Sequence, residues 1–256
     1  MFPPKDMAEF SQQCAQLGAL SLLRSITLTV SQRTPMDGWM AGVHTLLSVS
    51  PVESFQVYST GTLVEASTSE ALLIPIITSH GTRLVRFSAH RILLSLDAIG
   101  YICHQCSALQ ELFVVVERDD LVHVLLMTST VMVLLRLMLT YIQCGIGACL
   151  SNARQLRSVH INYTLHSHAD NLSVLSQDEA LNLVRQCPST LVQFGCNAQV
   201  WQVPFIIYFS LDMIADAEPQ VNRVANRDPG GHVDMSTYLV SHKSPDIPEQ
   251  FLVVYA

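Results

Sequence analysis

Apolar and polar positions follow one short pattern that returns six times along the chain. The pattern is apolar-x-x-apolar-x-apolar, as in Leu109-x-x-Leu112-x-Val114. Residues two apart lie on one face of a β-strand, so the second and third apolar positions predict a strand that buries one face. The six copies begin at Leu23, Val52, Leu84, Leu109, Leu156 and Leu191.

Helical periodicity precedes most of the copies. Residues 6–17 place an apolar stripe on one face, and Gly18 is typical of a helix end. This stripe consists of Met7, Phe10, Cys14 and Leu17. In the third predicted helix, Pro75 is expected to cause a kink or an early end. N-cap residues or capping-box spacing indicate later helix starts at Asp37, Ser67, Ser95 and Ser176. The inward faces are predicted to hold Met40, Val43 and Leu47; Ile99, Ile102 and Cys106; and Ala180, Val184 and Cys187.

The spacing of the copies indicates the fold class. Successive copies begin 29, 32, 25, 47 and 35 residues apart, whereas leucine-rich repeats recur about every 20–29 residues. We therefore predict an irregular, leucine-rich-repeat-like α/β solenoid with parallel strands and outer helices. It is expected to span residues 1–202, and residues 203–256 are expected to form an irregular C-terminal segment. A generic α/β domain is the alternative interpretation.

The residues that lead into three of the copies resemble those of a known family. Cys106-Ser-Ala-Leu109, Asn152-Ala-Arg-Gln-Leu156 and Cys187-Pro-Ser-Thr-Leu191 are similar to the Cys/Asn-Pro-x-Leu entries of F-box-type leucine-rich-repeat proteins. Together with residues 244–254, they look like a largely uncharacterised set of such proteins from mushroom-forming fungi. The resemblance implies the substrate receptor of a ubiquitin ligase. We find no N-terminal F-box in the sequence, so adaptor binding is expected only if a longer product carries one.

Composition narrows the function classes. A chain of 256 residues that is 49% hydrophobic and 14% charged is expected to bury a full core. The net charge of −7, without an evident basic face, argues against a nucleic-acid partner. Seven scattered cysteines without a signal peptide predict reduced thiols and a cytoplasmic or nuclear protein.

Residue groups with the spacing of a chemical site are few. Cys103-His-Gln-Cys106 is a lone CxxC, whereas structural zinc needs four ligands, so we interpret these cysteines as core residues. Histidines at 160, 166 and 168 are interpreted as part of a solvated loop after a strand. No nucleophile–base pair and no phosphate-binding loop is recognised. We therefore expect no enzyme activity, no metal and no cofactor.

The longest gap between copies holds an apolar run at residues 121–143. It contains one cation, Arg136, and no acid. Three interpretations are open: a membrane span, which needs about 20 apolar residues; an extra helix buried in the stack; and translated intron. The intron hypothesis rests on the repeat gap, which becomes normal if about 20 residues are removed; a similar hypothesis covers residues 203–220. A single-pass membrane-associated protein is thus the alternative function and localisation.

The function predicted from the pattern is non-catalytic protein recognition. Each unit buries its apolar face against its neighbours, which leaves the polar strand positions for a protein partner of unknown identity. The candidate contacts are Arg24, Thr27, Gln56, Arg86, Ser88, Gln110, Arg157, His160 and Gln193.

Overall fold

A computed structural model describes residues 4–30, 36–60, 63–117, 145–163, 175–197, 199–203 and 240–241. Helices and strands alternate through most of these ranges. The helices are α1 (Pro4–Leu17), α2 (Met36–Leu47), α3 (Ala66–His80), α4 (Leu96–Gln105), α5 (Ile146–Leu150) and α6 (Gln177–Val184), with a 3₁₀ turn at Gly81–Arg83. The strands are β1 (Ser25–Val30), β2 (Ser54–Ser59), β3 (Arg86–Leu93), β4 (Glu111–Val116), β5 (Ser158–Tyr163), β6 (Gln193–Cys196), β7 (Gln199–Gln202) and β8 (Val240–Ser241).

The strands form one mostly parallel sheet in which each strand lies beside its successor in the sequence. The order is β1-β2-β3-β4-β5-β6-β7-β8. Strands β1 to β6 are parallel, and β7 and β8 return antiparallel. The α/β class and the parallel arrangement of the six predicted strands are therefore confirmed.

The six apolar patterns of the sequence stand in register across the sheet. Their second positions pair from strand to strand in one unbroken row, Ile26, Phe55, Phe87, Leu112, Val159 and Phe194. The third positions pair in two groups, because the register shifts between β3 and β4 after Ser88. The groups are Leu28, Val57 and Ala89, and Val114, Ile161 and Cys196.

One backbone arrangement recurs where each strand begins. The carbonyl before a strand accepts hydrogen bonds from two consecutive N–H groups of the next strand, over distances of 2.7 to 3.1 Å. We call these acceptors the entry carbonyls: Arg24, Glu53, Val85, Gln110 and Arg157. A turn precedes the strand, as where the Leu109 N–H donates to the Cys106 carbonyl at 3.0 Å. The two unspecified positions of the pattern therefore span the bend between this turn and the strand.

The in-register apolar row packs against the helices and forms the core with them. In this core α1 packs on α2, α2 on α3, α3 on α4, α4 on α5 and α5 on α6. The predicted inward residues of α2 and α4 are buried, as are Ala180 and Val184 of α6, while Cys187 is half-buried. The opposite sheet face holds a second, separate apolar cluster of Phe113 and Val200.

Three helix ends follow the predicted chemistry. Gly18 adopts φ 61°, and bonds from Gly18 N–H to the Ala15 carbonyl and from Ala19 N–H to the Cys14 carbonyl close α1 as a Schellman motif. The Ser95 hydroxyl accepts from the Ala98 N–H at the start of α4. Ser176 and Glu179 form the reciprocal capping box of α6.

Other local predictions were wrong. Helix α2 begins at Met36 and α3 at Ala66, so Asp37 and Ser67 lie inside these helices rather than capping them. Helix α3 continues past Pro75 to His80, so the shortening predicted there does not occur, while the kink stays a prediction. In α1 Cys14 is buried, but Phe10 and Leu17 are 43% and 81% exposed, because α1 has a described helix neighbour, α2, along one side.

Several sequence predictions fall outside the described residues. These are the apolar run at 121–143, the second intron hypothesis beyond Val203, and the histidines at 166 and 168. Nearly all of the predicted C-terminal segment, 203–256, also lies outside them. Within the described ranges, no helix combines the length and the apolar character needed to cross a bilayer.

Candidate functional site

The nine predicted contact residues differ in exposure. Ser88 and His160 are 3% and 0% exposed, so they offer a partner almost no surface. The other seven have accessible surface and remain candidate contacts. Arg24, Thr27 and Arg157 are exposed, and Gln56, Arg86, Gln110 and Gln193 are half-buried.

Strand pairing brings most of these residues together on the sheet face that points away from the helices. One row joins residues of five adjacent strands in register: Thr27, Gln56, Ser88, Phe113 and His160. A second row, two residues earlier in each strand, joins Ser25, Ser54, Arg86, Glu111, Ser158 and Gln193. We call the second row the entry row, because it lies where the strands begin.

The accessible part of this face is the entry row together with the first two strands. In the middle of the sheet Phe113, Val115 and His160 are completely buried, and Asn162 is nearly so. In β1, by contrast, Thr27 and Thr29 are exposed. A partner that approaches this face therefore meets the strand entries and the β1–β2 end.

His160 lies inside β5 and is completely buried, so its assignment to a solvated loop after the strand was wrong. Hydrogen bonds and the space left by a glycine hold the residue in place. Its Nε2 lies 2.9 Å from the Asn197 carbonyl oxygen and 3.1 Å from Asn162 Oδ1. A carbonyl oxygen accepts, so Nε2 donates. The ring occupies the space above Gly195, where an added Cβ would lie 2.0 Å from His160 Nδ1. His160 therefore holds β5 and β6 together.

A groove of about 380 Å³ opens at the strand entries of β4, β5 and β6. Three predicted contact residues line it: Gln110, Arg157 and Gln193. The other lining residues are Glu111, Ser158, Val192, Gln202 and Val203. Because entry carbonyls anchor each of these strand starts to the preceding one, the groove has a rigid floor. We call it the strand-entry groove.

Sequence analysis did not select the other five lining residues. Glu111, Ser158 and Val192 adjoin residues that the strand pattern did select, so a wider reading of each strand entry would have found them. Gln202 pairs with Gln193 across the antiparallel β6–β7 contact. No local pattern predicted that return strand.

Some charged and polar groups of the groove have partners within the protein, and others do not. Arg86 forms an ion pair with Glu111, and its guanidinium lies 5.7 Å from the centroid of the Phe113 ring. Arg24 pairs with Glu53, and no described residue forms an ion pair with Arg157. Nε2 of Gln193 is buried and has no hydrogen-bond partner. The groove therefore offers hydrogen-bond donors that its own residues do not use.

Three of the cysteines, Cys103, Cys106 and Cys187, are poorly suited to a reactive site. Cys103 and Cys106 are fully buried in the core. Burial raises the pKa of the Cys103 thiol, and Cys149, Cys106 and Cys187 raise it further. Burial also raises the pKa of Cys106 and of Cys187 to about 12. The thiolate is the nucleophile and the metal ligand, so these thiols are poor at both roles.

The remaining buried histidines are also unsuited to proton transfer near neutral pH. Burial, with a smaller contribution from Arg91, lowers the pKa of His90 to about 4. Burial, then Arg83 and His44, lowers the pKa of His80. In the part of the chain that the structure describes, no group of three or more His, Cys, Asp or Glu side chains is arranged to hold a metal ion.

Comparison with known proteins adds no relative. Family models, curated proteins and solved structures were all searched, and none matches this chain. Any functional conclusion therefore depends on the geometry described above.

Proposed function

We propose that this chain is a non-catalytic protein-recognition scaffold, built as a leucine-rich-repeat-like solenoid. Its partner would bind the strand face through the strand-entry groove and the accessible ends of β1 and β2. The observation that supports this most is the entry row. Polar residues of six strands lie side by side on one face, while the apolar row of the same strands packs in the core.

The repeated contacts favour a solenoid over a generic α/β domain. In a solenoid each unit contacts its neighbours along the stack. Here every strand from β2 to β6 is anchored to its predecessor by the same entry carbonyl arrangement. The helices also pack in sequence order. Such a stack gives a binding surface that is rigid before the partner arrives, which lowers the entropic cost of association.

The chemistry of the face favours binding over catalysis. The amide, hydroxyl and guanidinium groups of the strand-entry groove form hydrogen bonds but are poor nucleophiles or bases at neutral pH. The one carboxylate of the groove, Glu111, is in an ion pair with Arg86. Where a longer product carries an F-box, the scaffold would be the substrate-binding part of an F-box-type ubiquitin ligase receptor. That role follows from the resemblance of the strand entries and is part of the proposal.

The test is a quantitative capture experiment with matched variants. The wild-type chain, a groove variant and a control variant are immobilised, and proteins bound from an extract of expressing cells are quantified by mass spectrometry. The groove variant is Gln110→Ala/Arg157→Ala/Gln193→Ala. The control, Gln12→Ala/Gln13→Ala/Arg185→Ala, removes the same side-chain types from exposed positions in α1 and at the end of α6. Circular dichroism verifies that both variants fold.

We expect at least one protein to bind the wild type and the control equally, and to bind the groove variant about tenfold less, a difference of one decade in affinity. Its direct binding is then confirmed by titration of the purified protein. Equal capture by all three forms, or capture lost in the control alone, would contradict the proposed binding face.

A further inference from the structure

We infer that the strand-entry groove binds the carboxylate of an acidic side chain, Asp or Glu, on an extended segment of the partner protein. This inference depends on the proposed function, because it specifies the chemistry of the partner at the same face. It comes from three features of the groove: an unpaired cation, an unsatisfied amide donor and the charge that the groove already contains.

The unpaired cation and the unsatisfied donor come from adjacent strands. The Arg157 carbonyl accepts the Gln193 N–H at 3.0 Å, so these side chains start from neighbouring backbone positions. Arg157 is exposed, and Nε2 of Gln193 lacks a hydrogen-bond partner. The half-buried Ser158 follows Arg157 and also lines the groove. Guanidinium and hydroxyl donors thus line one groove, which suits a two-oxygen acceptor. The Gln193 Nε2 donor is buried beside them, and a rotation of its side chain would add a third donor.

The charge of the groove selects a monoanion. Glu111 is the one acid among the lining residues, and its ion pair with Arg86 offsets its charge. Arg157 then leaves the groove with one uncompensated positive charge, on a chain whose net charge is −7. A carboxylate matches this charge, and guanidinium groups bind carboxylates in bidentate geometry. A phosphate dianion would bring excess negative charge next to Glu111, so a phosphorylated segment is disfavoured.

One apolar residue at the edge of the groove indicates that the ligand also has an aliphatic side chain. Val192 is 48% exposed, whereas Val203, whose N–H donates to the Val192 carbonyl at 2.8 Å, is buried. An aliphatic residue beside the acidic one would cover Val192 and remove its surface from water. The expected recognition element is therefore an acidic residue flanked by an aliphatic residue.

The probe is a peptide capped at both ends, acetyl-Gly-Val-Glu-Val-Gly-amide, titrated into the ¹⁵N-labelled full chain and followed by NMR. Matched peptides carry Gln or phosphoserine in place of Glu. The Gln193 side-chain amide signal, identified by its absence in Gln193→Leu, reports on the groove. Arg157→Gln tests the cation, and Arg185→Gln is the matched control outside the groove.

We expect the Glu peptide to shift the Gln193 amide signal in a saturable manner. The Gln and phosphoserine peptides, and the Arg157→Gln variant with the Glu peptide, should bind at least about tenfold more weakly. Arg185→Gln should bind like the wild type. Equal binding of Glu and Gln peptides, tighter binding of phosphoserine, an unchanged affinity in Arg157→Gln, or no saturable shift would each overturn the inference.

The two proposals can fail separately. Loss of partner capture in the groove variant, with no response to the Glu peptide, would retain the binding face and reject the carboxylate. A response to the Glu peptide, with partner capture unaffected by the groove variant, would retain the carboxylate site and reject the groove as the partner-binding face.

Discussion

At the scale of single residues, the position of the His160 ring requires a glycine at position 195. The His160 ring is completely buried and held by Asn162 and Asn197. It lies over Gly195, where a Cβ would approach Nδ1 to 2.0 Å. Real Cβ atoms do not come so close, so a methyl group at this position has to displace the ring or the strand.

We therefore predict that Gly195→Ala lowers the free energy of unfolding by about 1–3 kcal/mol, the usual cost of overpacking a core. Gly100→Ala in α4 is the control, because its Cβ would meet Cys149 Sγ at an ordinary 3.5 Å. Helix propensity leads us to expect that Gly100→Ala is neutral or stabilising by up to about 1 kcal/mol. Urea denaturation of the purified chains measures both.

The double variant separates overpacking from a loss of backbone freedom. In a His160→Ala background the space above Gly195 is vacated, so Gly195→Ala should cost clearly less than it does in the wild type. An equal cost in both backgrounds would show that the ring is not the obstacle.

Residue-level prediction from the sequence succeeded for orientation and was incomplete for burial. Alternation placed Ser88 and His160 on the sheet face away from the helices, in register with Thr27 and Gln56, as observed. The prediction that both are exposed was wrong, because alternation shows only that a side chain points away from the helices. It does not show what covers that face. The surroundings of the second face depend on contacts between residues distant in sequence.

At the scale of elements, the capping box of α6 stabilises the start of a short helix. The Ser176 hydroxyl accepts from the Glu179 N–H at 3.3 Å, and Glu179 Oε2 accepts from the Ser176 N–H at 2.8 Å. Helix α6 has eight residues, so little helix propensity supports it. The cap and the buried face of Ala180, Leu183 and Val184 stabilise it together.

We expect Ser176→Ala to lower the free energy of unfolding by about 1 kcal/mol, because it leaves an N–H group at the helix start without its acceptor. Ser107→Ala, at an exposed turn position, should change stability by less than about 0.5 kcal/mol. Thermal unfolding of the three chains compares them. A Ser176→Ala protein as stable as the wild type would mean that water replaces the cap without cost.

Helix starts illustrate why elements were predicted more reliably than their ends. Asp37 and Ser67 carry cap chemistry, yet α2 and α3 begin one residue before each of them. A cap contributes about 1 kcal/mol, which is small beside the burial of a whole apolar helix face. Cap chemistry in the sequence therefore locates a helix start only to within a residue or two.

At the scale of the whole molecule, burial increases from one edge of the sheet towards its middle. Strand β1 alternates exposed and half-buried residues up to Val30, and β2 is its partner in the described sheet. In β4 and β5 every residue after the first is buried. Because local opening exposes less apolar surface at the edge, opening should cost less there than in the middle.

We predict that backbone amides of β4 and β5 exchange with deuterium at least about tenfold more slowly than those of β1, after correction for intrinsic rates. Hydrogen-exchange mass spectrometry of the intact chain provides the comparison, with the chain unfolded in denaturant as the control in which all peptides exchange alike. Protection of β1 equal to that of β4 would show that this edge is covered in solution.

The sequence predicted the parallel strand order because every copy of the pattern contains the same three apolar positions. It did not predict the complete groove. Gln202 reaches the groove through the antiparallel β6–β7 pairing, which the stacking of Phe194 on Trp201 supports at a centroid distance of 5.9 Å. Such a return depends on the packing of aromatic residues at the end of the core, which no periodicity of the chain encodes.

The entry carbonyls make strand alignment independent of the length of chain between strands. Each strand takes its position from one acceptor on its predecessor, and the same kind of acceptor serves whether successive copies begin 25 or 47 residues apart. The bonds from Arg157 and Ser158 to the Gln110 carbonyl bridge the longest of these intervals. The length of chain between β4 and β5 can therefore change without misaligning the strands on either side.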